Sequence, residues 1–124
     1  MVNKEPRTIL IIDDDKCTVE IVSMILKNAG YRVNFETDGK LEFLKQLNIP
    51  DLILLDNWLG EEDGAVICAK LKATKEVAAV PIIMISATLD IESIAQRAGA
   101  STFLPKPFSM QELLKLTDSY LKTS

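Results

Sequence analysis

The chain alternates short, wholly apolar runs with longer stretches in which apolar residues recur every third or fourth position. Ile9-Leu10-Ile11-Ile12 and Leu52-Ile53-Leu54-Leu55 are two such runs, and Pro81-Ile82-Ile83-Met84-Ile85, closed by Ser86, is a third. Continuous apolar runs of this length predict strands buried on both faces. Residues 31–36 differ, because Tyr31, Val33 and Phe35 alternate with polar residues, as a half-exposed edge strand would. Residues 101–104 predict a short fifth strand. Between the strands lie helical patterns. Residues 16–28 carry Val19, Val22 and Leu26 on one face, with Gly30 as a stop. Leu41, Leu44 and Leu47 mark a second helix that ends before Pro50. Residues 65–73 predict a third, with Ile67 and Leu71 inward, after a loop over residues 60–64. Ile91, Ile94, Ala95 and Ala98 fall at i, i+3, i+4 and i+7, and Gly99 closes that helix. Ser109 can cap a last helix that runs to about Leu121.

Five strands alternating with five helices predict an α/β fold: a doubly wound five-stranded parallel sheet, with right-handed crossovers and helices on both faces. Periodicity leaves the two common strand orders open. The 124 residues suit one domain over 1–124 and are too few for two. Fourteen basic against eighteen acidic residues, a net charge of -4, argue against direct binding of nucleic acid. No apolar run approaches the ~18 residues of a membrane span, and residues 1–7 carry no signal-peptide core. Two cysteines make no disulfide framework, so a reducing, cytoplasmic setting is expected. The absence of histidine matters more. It removes Ser-His-Asp and Cys-His catalysis and any His-ligated metal, and leaves carboxylates, hydroxyls and lysines.

Those groups gather at one edge. In an open parallel sheet, chemistry sits beyond the carboxyl ends of the strands. The first run ends in Asp13, Asp14 and Asp15, and the third strand ends in Asp56. One Asp is enough to cap a helix, and Asp15 is the residue expected to do so. Three in a row repel one another, which a cation would relieve. Ligands that are all oxygen favour Mg²⁺ or a similar hard ion. Ser86 ends the fourth strand at the same edge, where a plain turn hydroxyl is the commoner role. Lys106 stands between Pro105 and Pro107, which fix its backbone path. A cation and an ammonium can neutralise a phosphoryl group while a carboxylate attacks it.

With these residues in place, the sequence resembles a response-regulator receiver domain, the phospho-acceptor module of two-component signalling, over nearly its whole length. The stretches that carry the resemblance are Ile-Leu-Ile-Ile-Asp-Asp-Asp at 9–15, Asp-Leu-Ile-Leu-Leu-Asp at 51–56, Asp63-Gly64, Pro-Ile-Ile-Met-Ile-Ser-Ala at 81–87, and Ala-Gly-Ala-Ser-Thr-Phe-Leu-Pro-Lys-Pro-Phe at 98–108. The resemblance implies the flavodoxin-like strand order 2-1-3-4-5. It implies that Asp56 is phosphorylated, that Asp13, Asp14 and Asp56 hold Mg²⁺ with the backbone carbonyl of Trp58, and that Lys106 binds the phosphate. Ser86 matches the switch hydroxyl and Phe103 the aromatic switch position, and the Lys106–Pro107 bond is expected to be cis. The implied partners are a sensor histidine kinase or a histidine phosphotransfer protein. A second copy or an effector would use the face of the fourth helix, fifth strand and fifth helix. Three positions depart from the family pattern: Gly60 where Pro is frequent, a bulky Trp58, and Phe103 where Tyr is common. In that topology the helices of Cys17 and Cys68 lie on opposite faces, which rules out a bridge between them.

The competing enzyme reading is a small Mg²⁺-dependent aspartyl-phosphate phosphatase, with Asp13 as nucleophile and Asp15 as acid/base. It leaves Asp56 without a role. A flavodoxin-like flavin binder fits poorly, because residues 13–15 would repel the cofactor's phosphate. A receiver without an output segment is either a free-standing regulator or a portion of a longer one.

Overall fold

A computed structural model describes residues 6–46, 48–59 and 62–122, with Trp58 and Leu59 described through their backbone. Its principal elements are β1 (Thr8–Ile12), α1 (Lys16–Asn28), β2 (Arg32–Glu36), α2 (Glu42–Lys45) and β3 (Leu52–Asp56). A two-residue pair follows, β4 (Trp58–Leu59) and β5 (Glu62–Asp63). The chain continues through α3 (Gly64–Lys72), β6 (Ile82–Ser86), α4 (Ile91–Ala98), β7 (Thr102–Pro105) and α5 (Met110–Leu121). The main sheet is parallel, in the order β2-β1-β3-β6-β7. With the β4–β5 pair set apart, this is the order 2-1-3-4-5 that the resemblance implied.

The continuous apolar strands divide between two cores because successive side chains point to opposite faces. Leu10, Ile12, Ile53, Leu55, Ile82 and Met84 pack with Ile67 and Leu71 of α3 and with Ile91 and Ala95 of α4. Ile9, Ile11, Leu52, Leu54, Ile83 and Ile85 pack with Val19, Val22 and Leu26 of α1 and with Leu113 and Leu121 of α5. Cys68 belongs to the first core, and α1, which carries Cys17, covers the second; both thiols are free.

Capping sets the helix starts. Asp15 accepts the Cys17 N–H at 3.1 Å and the Thr18 hydroxyl at 2.8 Å, so it is the α1 cap the sequence predicts. Ser109 opens α5 with a reciprocal capping box to Glu112. The second helix is much shorter than the leucine spacing predicts. Leu41 sits in the left-handed region, φ 58°, and offers no side-chain cap. The Glu36 carboxylate supplies the missing acceptors to the N–H groups of Glu42 and Phe43. Leu41 therefore turns the chain into the core, and only the next four residues are helical; Leu47 lies outside the described residues. The predicted loop over 60–64 is partly replaced by the antiparallel β4–β5 pair, in which Trp58 faces Asp63; Gly60 and Glu61 lie outside the described residues. On the edge strand, Phe35 is 59% exposed although the alternation puts it inward. It shares a face with Val33, on the α1 side of the sheet, and lines an open groove between α1 and β2.

Candidate functional site

Strand order makes the site. The chain reverses direction across the sheet between β1 and β3, and ligands in such sheets bind where the order reverses. Ile12 pairs with Leu55 across this junction, so Asp13 and Asp56 leave the same edge side by side. One carboxylate oxygen from each of Asp13, Asp14 and Asp56 lies within 4.8 Å of the other two. Asp13 is buried, Asp56 half-buried and Asp14 exposed. Asp13 is held by two bonds: its N–H donates to the Glu36 carbonyl at 3.0 Å, and its Oδ1 accepts the Asp15 N–H at 2.9 Å.

Lys106 enters from the end of β7. Its N–H donates to the Ser86 carbonyl at 2.9 Å, and its Nζ reaches Asp56 Oδ1 at 3.3 Å. The Lys106–Pro107 bond is cis, as the resemblance implied. Burial raises the Asp56 carboxyl above its ordinary range, the Lys106 charge pulls it back, and Asp14 pushes it up again. Burial likewise raises Asp13, the Asp15 N–H opposes it, and the Asp56 charge adds to the rise. These oxygens share a half-buried space that disfavours their own charges. That donor set fits a hard, oxygen-seeking divalent cation.

Ser86 closes the edge. It is buried; its Oγ donates to Thr88 Oγ1 at 2.9 Å and accepts the Thr88 N–H at 3.0 Å. The hydroxyl is thus turned to the following loop rather than to Asp56. Phe103 is part-buried against the α3–α4 core, and Met84 pairs with it across the β6–β7 ladder. Trp58 opens β4, two residues after Asp56 ends β3.

Three contributors were given no role at the site from sequence. Gly64 is one: a Cβ there would collide with the Asp56 carbonyl oxygen, and its N–H donates to the Asn57 carbonyl at 2.6 Å. The loop after Asp56 folds back onto it only because position 64 has no side chain, which gives the Asp63-Gly64 pair a physical reason. Asn57 and Thr88 are the others, and only their spacing from Asp56 and Ser86 could have marked them.

Asp15 is a poor general acid. The Thr18 hydroxyl bond holds its carboxyl below the ordinary range, and the capping bond to Cys17 adds to this. The phosphatase reading loses its proton donor, and its nucleophile Asp13 is the most enclosed of the three carboxylates.

Residues 9–118 match the family model described as the response regulator receiver domain. The chain belongs to the response-regulator receiver family. A relative in Synechocystis, the DNA-binding dual master transcriptional regulator RpaA, is 38% identical over 117 residues, covering 92% of this chain and 48% of that protein. The receiver thus spans about half the length of the curated relatives it matches. Among solved structures, a response regulator of Chloroflexus aurantiacus superposes with a TM-score of 0.86 at 32% identity, covering 95% of this chain and 99% of that one. The receiver domain of the sensor histidine kinase PA1611 of Pseudomonas aeruginosa, solved with a magnesium ion in its active-site cleft, gives 0.83 at 25% identity, with 95% and 99% covered. The receiver is a phospho-acceptor module of two-component signalling, and the phosphatase reading is not favoured.

Proposed function

We propose that Asp56 accepts a phosphoryl group from a phosphohistidine, and that Asp13, Asp14, Lys106 and Ser86 serve that transfer. The observation that carries this reading is the Asp56 carboxylate itself, half-buried beside two further carboxylates and 3.3 Å from the Lys106 ammonium. An Asp56 oxygen attacks phosphorus in line. The new O–P bond forms as the N–P bond of the donor breaks, and the electron pair stays on the imidazole. This chain has no histidine, so the donor imidazole belongs to another domain or protein: a sensor histidine kinase or a histidine phosphotransfer protein. Lys106 holds its charge where the transferred oxygens gather.

Mg²⁺ is the ion assigned to Asp13, Asp14, Asp56 and the Trp58 carbonyl. When bound, it supplies positive charge to the phosphoryl oxygens and relieves the repulsion among the carboxylates. The same groups would later assist water in hydrolysing the acyl phosphate. The phosphoryl oxygens then draw the Ser86 hydroxyl inward, Phe103 follows, and the face of α4, β7 and α5 changes shape. A downstream effector or a second copy would read that face. Among the described residues no helix is long and apolar enough to cross a membrane, and both thiols are free, which supports a cytoplasmic setting.

Incubation with a small acyl phosphate and Mg²⁺, followed by intact mass and site mapping, tests the reading. One phosphoryl group should appear on Asp56, and Asp56→Asn should abolish it. A label on Asp13 would restore the phosphatase alternative.

A further inference from the structure

Asn57 directly follows the acceptor and is 4% exposed. Its backbone is fully engaged, with its N–H donating to the Ile85 carbonyl at 3.0 Å and its carbonyl accepting from Gly64. Its side chain is the opposite: Oδ1 is buried and receives no hydrogen bond among the described residues. Buried polar atoms of native proteins nearly always find partners, so an orphan beside a reacting group calls for a cause. Asn57 and Thr88 line one cavity of about 540 Å³ between α3 and α4. Thr88 is the residue that holds the Ser86 hydroxyl.

We infer that Asn57 is a positioning residue for the phospho-acceptor switch: its Oδ1 receives the Thr88 hydroxyl once Ser86 turns to the phosphoryl group on Asp56. This rests on the acceptor reading above. In the resting arrangement the Ser86 O–H donates to Thr88 Oγ1, and Asn57 Oδ1 has no donor. A phosphoryl oxygen on Asp56 takes the Ser86 proton donor away. Thr88 Oγ1 loses that bond, so the side chain is released to rotate and carry its O–H across the shared cavity to Asn57. The exchange removes the orphan as it breaks the latch, so the switched state gains a bond that the resting state lacks. The Asn57 backbone is fixed through Gly64 and Ile85, which holds its Cα in place beside the cavity. Thr88, half-buried on the β6–α4 loop, is the part that moves.

The carboxamide carbon reports the exchange directly. Beryllofluoride with Mg²⁺ should move the Asn57 ¹³Cγ resonance downfield in the wild type and in Thr88→Ser, which keeps the hydroxyl. Thr88→Val, which keeps the shape and loses the donor, should show no such move. These variants leave Asn57 in place; Thr88→Val also frees the Ser86 hydroxyl, so the ¹³Cγ shift on Asn57, and not the behaviour of Ser86, reads the bond. A double-mutant cycle with Asn57→Leu gives the size. The coupling with Thr88→Val in beryllofluoride affinity should be about five-fold, that of one net hydrogen bond. The same ¹³Cγ shift in Thr88→Val, or strictly additive variants, would overturn the inference and leave Asp56 as the acceptor. A wild type that takes up no beryllofluoride would overturn the acceptor reading and this inference together.

Discussion

At the scale of single residues, the site is a balance between charge and burial that the bound ion is expected to tip. Burial raises the Asp13 and Asp56 carboxyls above the ordinary value of 3.8. Between that value and the raised ones, the folded chain holds protons that the unfolded chain has released. Without metal, stability therefore falls as pH rises through that window, and the cost is complete once both carboxyls are ionised. Asp13→Asn keeps the Oδ1 that accepts the Asp15 N–H and removes one charge. Its melting temperature in chelator should exceed the wild type's at neutral pH, and the gap should close as pH falls towards 3.8. With Mg²⁺ the order should reverse. At about 100 times its dissociation constant, an ion that binds only the folded wild type adds about 2.7 kcal/mol, and the variant loses most of that. Thermal unfolding with and without Mg²⁺ at two pH values checks both signs; a lower melting point in chelator would mean that Asp13 stabilises the loop rather than costing it. Lys106→Ala should slow phosphorylation by a small acyl phosphate on the order of 10²-fold, as the loss of one fixed positive donor at developing charge does. Lys106→Arg should recover little of it, because a planar guanidinium does not replace a compact ammonium. Time courses of intact mass would measure both. The carboxylates and Lys106 were legible because residues of unusual type stand at strand ends. Asn57 and Thr88 were not, because an amide and a hydroxyl in loops look like ordinary turn residues.

At the scale of elements, caps decide what periodicity cannot. The α5 start was readable from Ser109 because its capping box is local in sequence. Ser109→Ala should cost about 1 kcal/mol in urea unfolding. The α2 start was not readable, because its cap is the Glu36 carboxylate from the end of another strand. Leu41, Leu44 and Leu47 have helical spacing, yet the left-handed backbone at Leu41 shifts the helix start to the next residue. Leu41→Gly sets two effects against each other. Relief of a left-handed residue returns about 1–2 kcal/mol. Loss of a leucine that is 2% exposed costs about 2–5 kcal/mol. Burial should win, leaving the variant less stable by up to about 4 kcal/mol in the same measurement, whereas a more stable variant would show that backbone strain dominates there.

At the scale of the whole molecule, one sheet carries two cores and a single working edge. The apolar strands revealed the two-sided burial but not the strand order, since any order of fully buried strands has the same alternation. The order came through the family resemblance, and it is what brings Asp13 to Asp56. It also joins Ser86 to the far side of the sheet: Ser86 pairs with Pro105, and Met84 with Phe103, along the β6–β7 ladder. A shift of Ser86 towards Asp56 is therefore felt one strand away, where Phe103 is already part-buried against the α3–α4 core. Phe103 has no phenolic hydroxyl to keep in water, so its inward position is not opposed by a polar group. Both states should then exist before phosphorylation, with the minor one in the range of about 0.1–10%. Phosphorylation would shift that equilibrium by no more than its difference in affinity for the two states. Relaxation-dispersion NMR on the unphosphorylated protein should show exchange from Ser86 to Phe103 and along α4. Beryllofluoride should move the same resonances along the line that joins the exchanging states, and resonances of α1 should stay near their starting positions. Silence over residues 86–121, in both exchange and shift, would sink the switch and leave the acceptor chemistry at Asp56 to stand alone.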